Sequence, residues 1–386
     1  MTAFTLSVPP RVTLRRGAVS ALPEESARLG SRALLVRGGP RPGPDAAEAA
    51  LRDAGALAGT IVVRAEPDLP ALEAALALAG DAGPSHVVAL GGGSVLDMGK
   101  ALAALIPAPD GPMAHLEVVG EGRPLEAAPL PLLALPTTAG TGSEATRNAV
   151  ISVPEHRRKV SLRDPAMVPA AVLIDPDLAA GAPRAVTLAS GLDAVVQVIE
   201  PYLCTRANAL TDALCESAIP RGLAALGTLM DREDVAAREE MARTAFLSGL
   251  ALASAGLGAA HGIAGVLGGL MPAGHGHLCG ALLVPVLRAN RAATGGGPRW
   301  DALDALVAGG LGAAEPGRAE DLLADAIALW GLPPLPAAPP DFDAAGAAEA
   351  SRTSSSMKAN PAELDAATLE GIIRGTVPGG APPPRT

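Results

Sequence analysis

The sequence predicts an α/β protein in two parts, a doubly wound domain over residues 1–183 followed by an all-helical domain over 184–386. Three observations carry this. A chain of 386 residues exceeds what one hydrophobic core usually serves, so two domains are expected. Short apolar runs alternate with helical stretches through the first half, which implies strand–helix–strand units and hence a parallel sheet. From about residue 184 that alternation gives way to nearly unbroken helical periodicity.

Taken in order, "RALLVRG" (32–38) reads as a strand, "DAAEAALRDAGA" (45–56) as a helix and "TIVVRAE" (60–66) as a strand. A helix at about 68–81 follows, then the strand "HVVAL" (86–90), a helix opening near Ser94, and the strand "LPLLALP" (130–136). "AVLIDPDL" (171–178) is the last strand, ending in a turn. The whole is Rossmann-like. In the second half "VTLASGLDAVVQVIEPYL", "ALTDALCESAIPRGLAALGTLM" and "REEMARTAFLSGLALASAG" are helical. A break at "ATGGGPRW" (293–300) precedes the terminal helices, and "PPLPAAPPDF" (333–342) and "PGGAPPPRT" (378–386) are loop and tail. No repeat of fixed period is visible.

Composition narrows the function. Only 2% of residues are aromatic, so the core is built from small aliphatic side chains and offers no platform for stacking bases. A formal charge of −10, with no long Lys/Arg run, argues against nucleic acid as a partner. Cys204, Cys215 and Cys279 show no C-x-x-C spacing, and "MTAFTLSVPPRVTLRRG" carries prolines and charges where a signal peptide needs an apolar run; a reduced, cytoplasmic protein is expected. "FLSGLALASAGLGAAHGIAGVLGGLM" (246–271) has no charge and contains Gly258-x-x-x-Gly262, a spacing of membrane helix pairs. It is mostly Ala, Gly and Ser without a Trp/Tyr belt, so a buried helix and no membrane partner are expected.

Three constellations carry chemistry. "ALGGGSVLDMGKALA" (89–103) sets three glycines between a strand and a helix, where backbone amides and the positive helix end can receive a phosphate. A tight turn wants glycine too, and the spacing is not the G-x-G-x-x-G of the ordinary dinucleotide fingerprint. "LPTTAGTGSEATRNAV" (135–150) follows the next strand and offers Thr137, Thr138, Thr141 and Ser143 to a pyrophosphate or ribose, or forms a polar surface turn. In the helical half Asp193 and Gln197 share one helix face, His261 and Gly265 another, and His275 follows in a glycine-rich turn. An Asp and two His suit a divalent metal such as iron or zinc, although spacing alone does not bring Asp193 to His261.

"GGGSVLDMGK", "LPTTAGTGSEATRNAVIS", "HRRKVSLRDP", "GLDAVVQVIEPY" and "GLGAAHGIAGVLGGLMPAGHG" occur in the order and spacing of the iron-containing (group III) alcohol dehydrogenases, relatives of glycerol dehydrogenase and dehydroquinate synthase, which the chain resembles over roughly residues 8–375. The resemblance implies a dehydroquinate synthase-like fold, a cleft holding NAD(P) and a catalytic metal, a small alcohol or carbonyl substrate, and a homodimer or larger homo-oligomer. It implies that Gly91, Gly92, Gly93, Ser94 and Thr141 hold the pyrophosphate with Asp97 on the same loop–helix unit, and that Thr137, Thr138 and Lys159 approach the ribose and nicotinamide. Asp193, Gln197, His261 and His275 fall on its four metal-ligand positions.

Two of its usual histidines are replaced, one by Gln197, a poorer transition-metal ligand, and one near the substrate by Gly265. His277 or Cys279 is expected to compensate, His277 also as a proton carrier beside His261 and His275. Gly38 stands where NAD-preferring relatives often carry an Asp, which with Arg37 or Arg41 nearby leans the cofactor to NADP. A metal-independent enzyme like maleylacetate reductase and a catalytically impaired nucleotide-binding protein are the alternatives.

Overall fold

The computed structural model describes residues 4–315 and 317–379; residues 1–3 of the quoted N-terminal segment and 380–386 of the predicted tail lie outside them. The chain divides into two compact units, Leu6–Gly181 and, in the main, Ala182 onward.

In the first unit β1 (Val12–Leu14), α1 (Leu22–Leu29), β2 (Ala33–Arg37), α2 (Pro42–Asp53), β3 (Leu57–Val62), α3 (Leu69–Ala82), β4 (His86–Gly91) and α4 (Gly93–Leu105) follow one another. Then come the short α5 (Pro112–His115), β5 (Leu132–Pro136), β6 (Asn148–Val153), β7 (Arg158–Arg163) and β8 (Ala171–Ile174). Six strands form one parallel sheet in the order β1-β8-β5-β4-β2-β3. The runs ALLVR, HVVALG, LLALP and AVLI are buried throughout, because helices cover both faces of a parallel sheet. Leu22 and Leu51 of α1 and α2 pack with Leu35, Val88, Leu90, Leu133 and Leu135 on one face. On the other, α4 comes so close that a Cβ on Gly99 would sit 2.5 Å from that of Ala89.

The chain steps outward from β2 to β3 and returns to β4 on the opposite side of β2. Strand order therefore reverses between β2 and β4, and ligands of such sheets bind at the carboxyl ends beside that point. Gly38 follows one of those ends and Gly92 the other.

β3 runs from Leu57 to Val62 where a strand over 60–66 is expected, and β1, α1 and the antiparallel pair of β6 and β7 lie outside the elements that the sequence predicts. β6 alternates between half-buried and buried residues, the period of a strand covered on one face only.

The second unit holds α6 (Arg184–Leu203), α7 (Ala209–Asp231), α8 (Val235–Ala255), α9 (Ala259–Leu270), α10 (His275–Thr294), α11 (Pro298–Leu311), α12 (Ala319–Trp330), α13 (Ala344–Arg352) and α14 (Ala366–Thr376). No strand lies among its described residues. α6 is central, buried along most of its length and packed on α7, α8 and α10. The predicted Gly/Pro break is the α10–α11 turn, where Gly295, Gly296 and Gly297 all take positive φ. No single described helix is long and apolar enough to cross a membrane; α8 and α9 reach that composition only as a pair, and they bend by 100° between them.

Candidate functional site

α6 sets the geometry of the helical unit's polar centre. Asp193, Gln197 and Glu200, at spacings of four and three, lie on one face of this helix, and all three are buried. Glu200 accepts hydrogen bonds from Ala260 N (2.7 Å) and His261 N (3.4 Å), so it caps the start of α9, whose N-cap Gly258 brings no side chain. The same carboxylate accepts from His261 Nδ1 at 2.7 Å. That bond fixes a proton on Nδ1 and turns Nε2 away from Glu200, as in carboxylate-oriented metal histidines.

His261 Nε2 lies 3.4 Å from Asp193 Oδ1, yet both atoms are buried without a hydrogen-bond partner. Buried polar atoms are nearly always satisfied, so two orphaned atoms facing each other fit a cation held between them. α10 supplies the rest. Its close approach to α6 depends on Gly276, where a Cβ would meet Ala189 O at 2.4 Å, and on Gly280, where it would meet Leu192 Cδ1 at 2.7 Å. His275 thereby reaches Asp193 (Nε2 to Oδ1, 3.9 Å), and Cys279, one turn on, places its Sγ 3.6 Å from His275 Nε2. One donor atom from each of Asp193, His261, His275 and Cys279 lies within 4.8 Å of the other three.

The electrostatics agree with a site built for a cation. Burial pushes the Asp193 carboxyl up, but the charges of His275 and His261 outweigh it and hold the group below its ordinary value. Burial likewise opposes protonation of His261, yet Cys279 and the two carboxylates raise its pKa well above the ordinary value. The charge on Cys279, against burial and with help from Asp193, raises His275 to about 9. Protons on these rings supply the positive charge that the donor set demands, and a divalent cation would displace them.

Three expectations need correction or refinement. His277 is two residues beyond His275 on α10, hence on the far side of the helix, and its Nε2 donates to Pro333 O at 2.6 Å; it is not part of the donor group. Gln197 shares the Asp193 face, but its Oε1 accepts from Ser248 Oγ on α8 at 2.9 Å. Arg37, expected beside a 2′-phosphate, is buried and ion-paired with Asp45 and with Glu48 (2.7 Å), so its guanidinium is committed inside the protein.

In the first unit the two predicted loops meet. Thr137 N donates to Gly91 O at 3.0 Å across neighbouring strands. A Cβ on Gly92 would lie 3.2 Å from Thr138, and one on Gly93 only 2.7 Å from Thr141. Bare backbone is thus required where α4 starts, and Gly92 as N-cap leaves the first amides of α4 without a side-chain cap. Such a cradle fits a pyrophosphate. Ser94 opens α4 beside it. Asp97 and Ser143 are engaged with each other: Ser143 Oγ donates to Asp97 Oδ1 at 2.7 Å, and Val150 N donates to Asp97 Oδ2 at 3.1 Å. Lys159, on β7, is ion-paired with Glu66. Gly38 has nothing within 4 Å of a Cβ position.

Sequence reasoning missed Glu200, whose signal is a second carboxylate seven residues after Asp193 within the apolar run VVQVIEPYL. It also missed the buried pair beneath the nucleotide loops. Lys100 Nζ donates to Ser143 O (2.9 Å) and Thr146 Oγ1 (3.0 Å), while burial raises the Glu144 carboxyl to about 7.

Comparison with known proteins agrees with both halves. The iron-containing alcohol dehydrogenase model matches residues 9–176, and the C-terminal model of the Fe-containing alcohol dehydrogenase family matches 187–330. The chain is 34% identical over 307 residues to the probable alcohol dehydrogenase EutG of Escherichia coli, covering 74% of this chain and 73% of that one. It is 36% identical over 286 residues to the lactaldehyde reductase of the same organism, covering 72% and 74%. The solved 1,3-propanediol oxidoreductase superposes with a TM-score of 0.86 at 27% identity over 97% of this chain and all of that one. Maleylacetate reductase from Agrobacterium tumefaciens superposes at 0.77 with 25% identity, over 99% of this chain and all of that one. With these matches, its parallel sheet and its helical second unit, the chain has the dehydroquinate synthase-like fold and belongs to the iron-containing alcohol dehydrogenase family.

Proposed function

We propose that the chain is an NAD(P)-dependent oxidoreductase that interconverts an alcohol and an aldehyde or ketone, assisted by a divalent metal held by Asp193, His261 and His275. The observation that carries this is the pair of unpartnered buried atoms, Asp193 Oδ1 and His261 Nε2, facing each other in a protein of this family. Held by these three side chains, the metal would supply a Lewis acid for the substrate oxygen, and a nicotinamide cofactor would supply or receive the hydride. Glu200 fixes the tautomer and orientation of His261. Gly91, Gly92, Gly93 and Ser94 bind the pyrophosphate through backbone amides, with Thr137, Thr138 and Thr141 beside them. Asp97 and Ser143 hold that loop in shape.

The substrate reading draws on the relatives named as a probable alcohol dehydrogenase, a lactaldehyde reductase and a 1,3-propanediol oxidoreductase. Gly265, one turn after His261, has nothing within 4 Å of a Cβ position, which leaves room for a substrate bulkier than a short primary alcohol. NADP(H) is the preferred cofactor in this reading: Gly38 puts no carboxylate beside the adenosine ribose, and with Arg37 committed the 2′-phosphate partner falls to the exposed Arg41. Three free, buried cysteines fit a reducing, cytoplasmic setting.

Initial rates with NADPH and NADH against short aldehydes, ketones and hydroxyaldehydes test the reading. We expect turnover of aldehydes, higher kcat/KM with NADPH, and loss of turnover in Asp193→Ala with NADPH binding retained. A metal-replete protein that reduces no carbonyl would overturn it. The metal-independent alternative has the maleylacetate reductase superposition behind it, but it leaves the facing orphan atoms without a purpose.

A further inference from the structure

Resting on the metal site just proposed, we infer that Cys279 is its fourth donor, replacing the histidine whose position Gln197 occupies, and that the resulting Asp-His-His-Cys set selects zinc over iron(II). Four donors at zinc's usual bond lengths, arranged tetrahedrally, stand roughly 3.3–3.8 Å from one another. The spacings here are 3.4 Å for His261–Asp193, 3.6 Å for His275–Cys279 and 3.9 Å for His275–Asp193, with all four donor atoms inside 4.8 Å. Three of the spacings thus fall at or near tetrahedral dimensions, and the other three stay within 4.8 Å.

Cys279 is fully buried, and its sulfur lies 3.6 Å from His275 Nε2, one of the atoms of the donor group. The helical spacing explains the pairing, since His275 and Cys279 are one turn apart on α10 and α10 is pressed against Asp193 through Gly276 and Gly280. Gln197, by contrast, has its amide oxygen on the Ser248 hydroxyl, and an amide is a weak donor to a transition metal. A thiolate adds negative charge and softness to the set. Both favour zinc, which also stands above iron(II) in the general affinity order for divalent metals.

Anaerobic titration of the metal-stripped full chain with cobalt(II) tests this, because a thiolate bound to cobalt gives a near-ultraviolet charge-transfer band that nitrogen and oxygen donors do not. We expect one cobalt per chain with that band in the wild type, its loss in Cys279→Ser and Cys279→Ala, and its survival in Gln197→Leu. In chelator competition zinc should outcompete iron(II), and Cys279→Ala should lose at least the roughly 10–100-fold in zinc affinity that removal of an outer-shell partner costs. One bound cobalt without the band in the wild type would overturn the inference and leave the metal site standing. No cobalt bound at all, or uptake unchanged in Asp193→Ala, would overturn the site itself. The wild-type spectrum decides even if a cysteine variant fails to fold.

Discussion

At the scale of single residues the protein's chemistry turns on which atoms are left without a partner. Glu200 both caps α9 and accepts the Nδ1–H hydrogen bond of His261, which turns Nε2 toward Asp193. Glu200→Gln should keep the fold yet weaken metal binding by about 10–100-fold, read by chelator competition; unchanged affinity would deny Glu200 its orienting role. Gly265 makes a different point. Its Cβ position is open, so Gly265→His should fold, and we expect it to raise turnover of small primary alcohols relative to bulkier ones. A substrate profile identical to wild type would place Gly265 away from the substrate. The sequence, through family resemblance, pointed to Asp193, His261 and His275, but could not supply the distances that bring them together across the 68 residues from Asp193 to His261. Nor could it show that His277 faces Pro333 while Cys279 faces His275, a distinction set by two residues of helical rotation.

At the scale of elements, close backbone approach recurs as the structural device of a chain poor in aromatics. α4 rests on β4 through Gly99, and its start rests on the Thr138–Thr141 loop through Gly92 and Gly93. Gly99→Ala should cost about 1–3 kcal/mol by overpacking. Gly371→Ala, at an exposed position of α14 with nothing within 4 Å, should be neutral or stabilising by up to about 1 kcal/mol. Denaturant melts of the two variants check this, and equal stabilities would contradict it. The elements legible beforehand were those with a strong period, such as β4, β5 and α6, whose apolar runs are buried throughout or nearly so. β1 is three residues long and β7 carries three charges in six, so neither has the apolar run that marks a buried strand.

At the scale of the molecule, buried titratable groups couple stability to pH. Burial raises Glu144 from 4.5 to about 7, so its proton is retained in the folded state after the unfolded chain has lost it. The contribution is therefore full below the unfolded value and is lost as pH rises through about 7. Relative to Glu144→Gln, the wild type should lose up to about 3 kcal/mol between about pH 4.5 and pH 8, measured by denaturant unfolding. Parallel profiles would show that Glu144 does not titrate in this window.

Metal-assisted carbonyl reduction, with the donors on α6, α9 and α10, is the activity proposed for this chain. It is tested most directly by the rate of NADPH oxidation with a short-chain aldehyde, before chelator stripping, after it, and after return of a divalent cation. The rate should collapse on stripping, return on reloading, and fail to return in Asp193→Ala although that variant still binds NADPH. Stripped protein that turns over at the full rate would contradict the account.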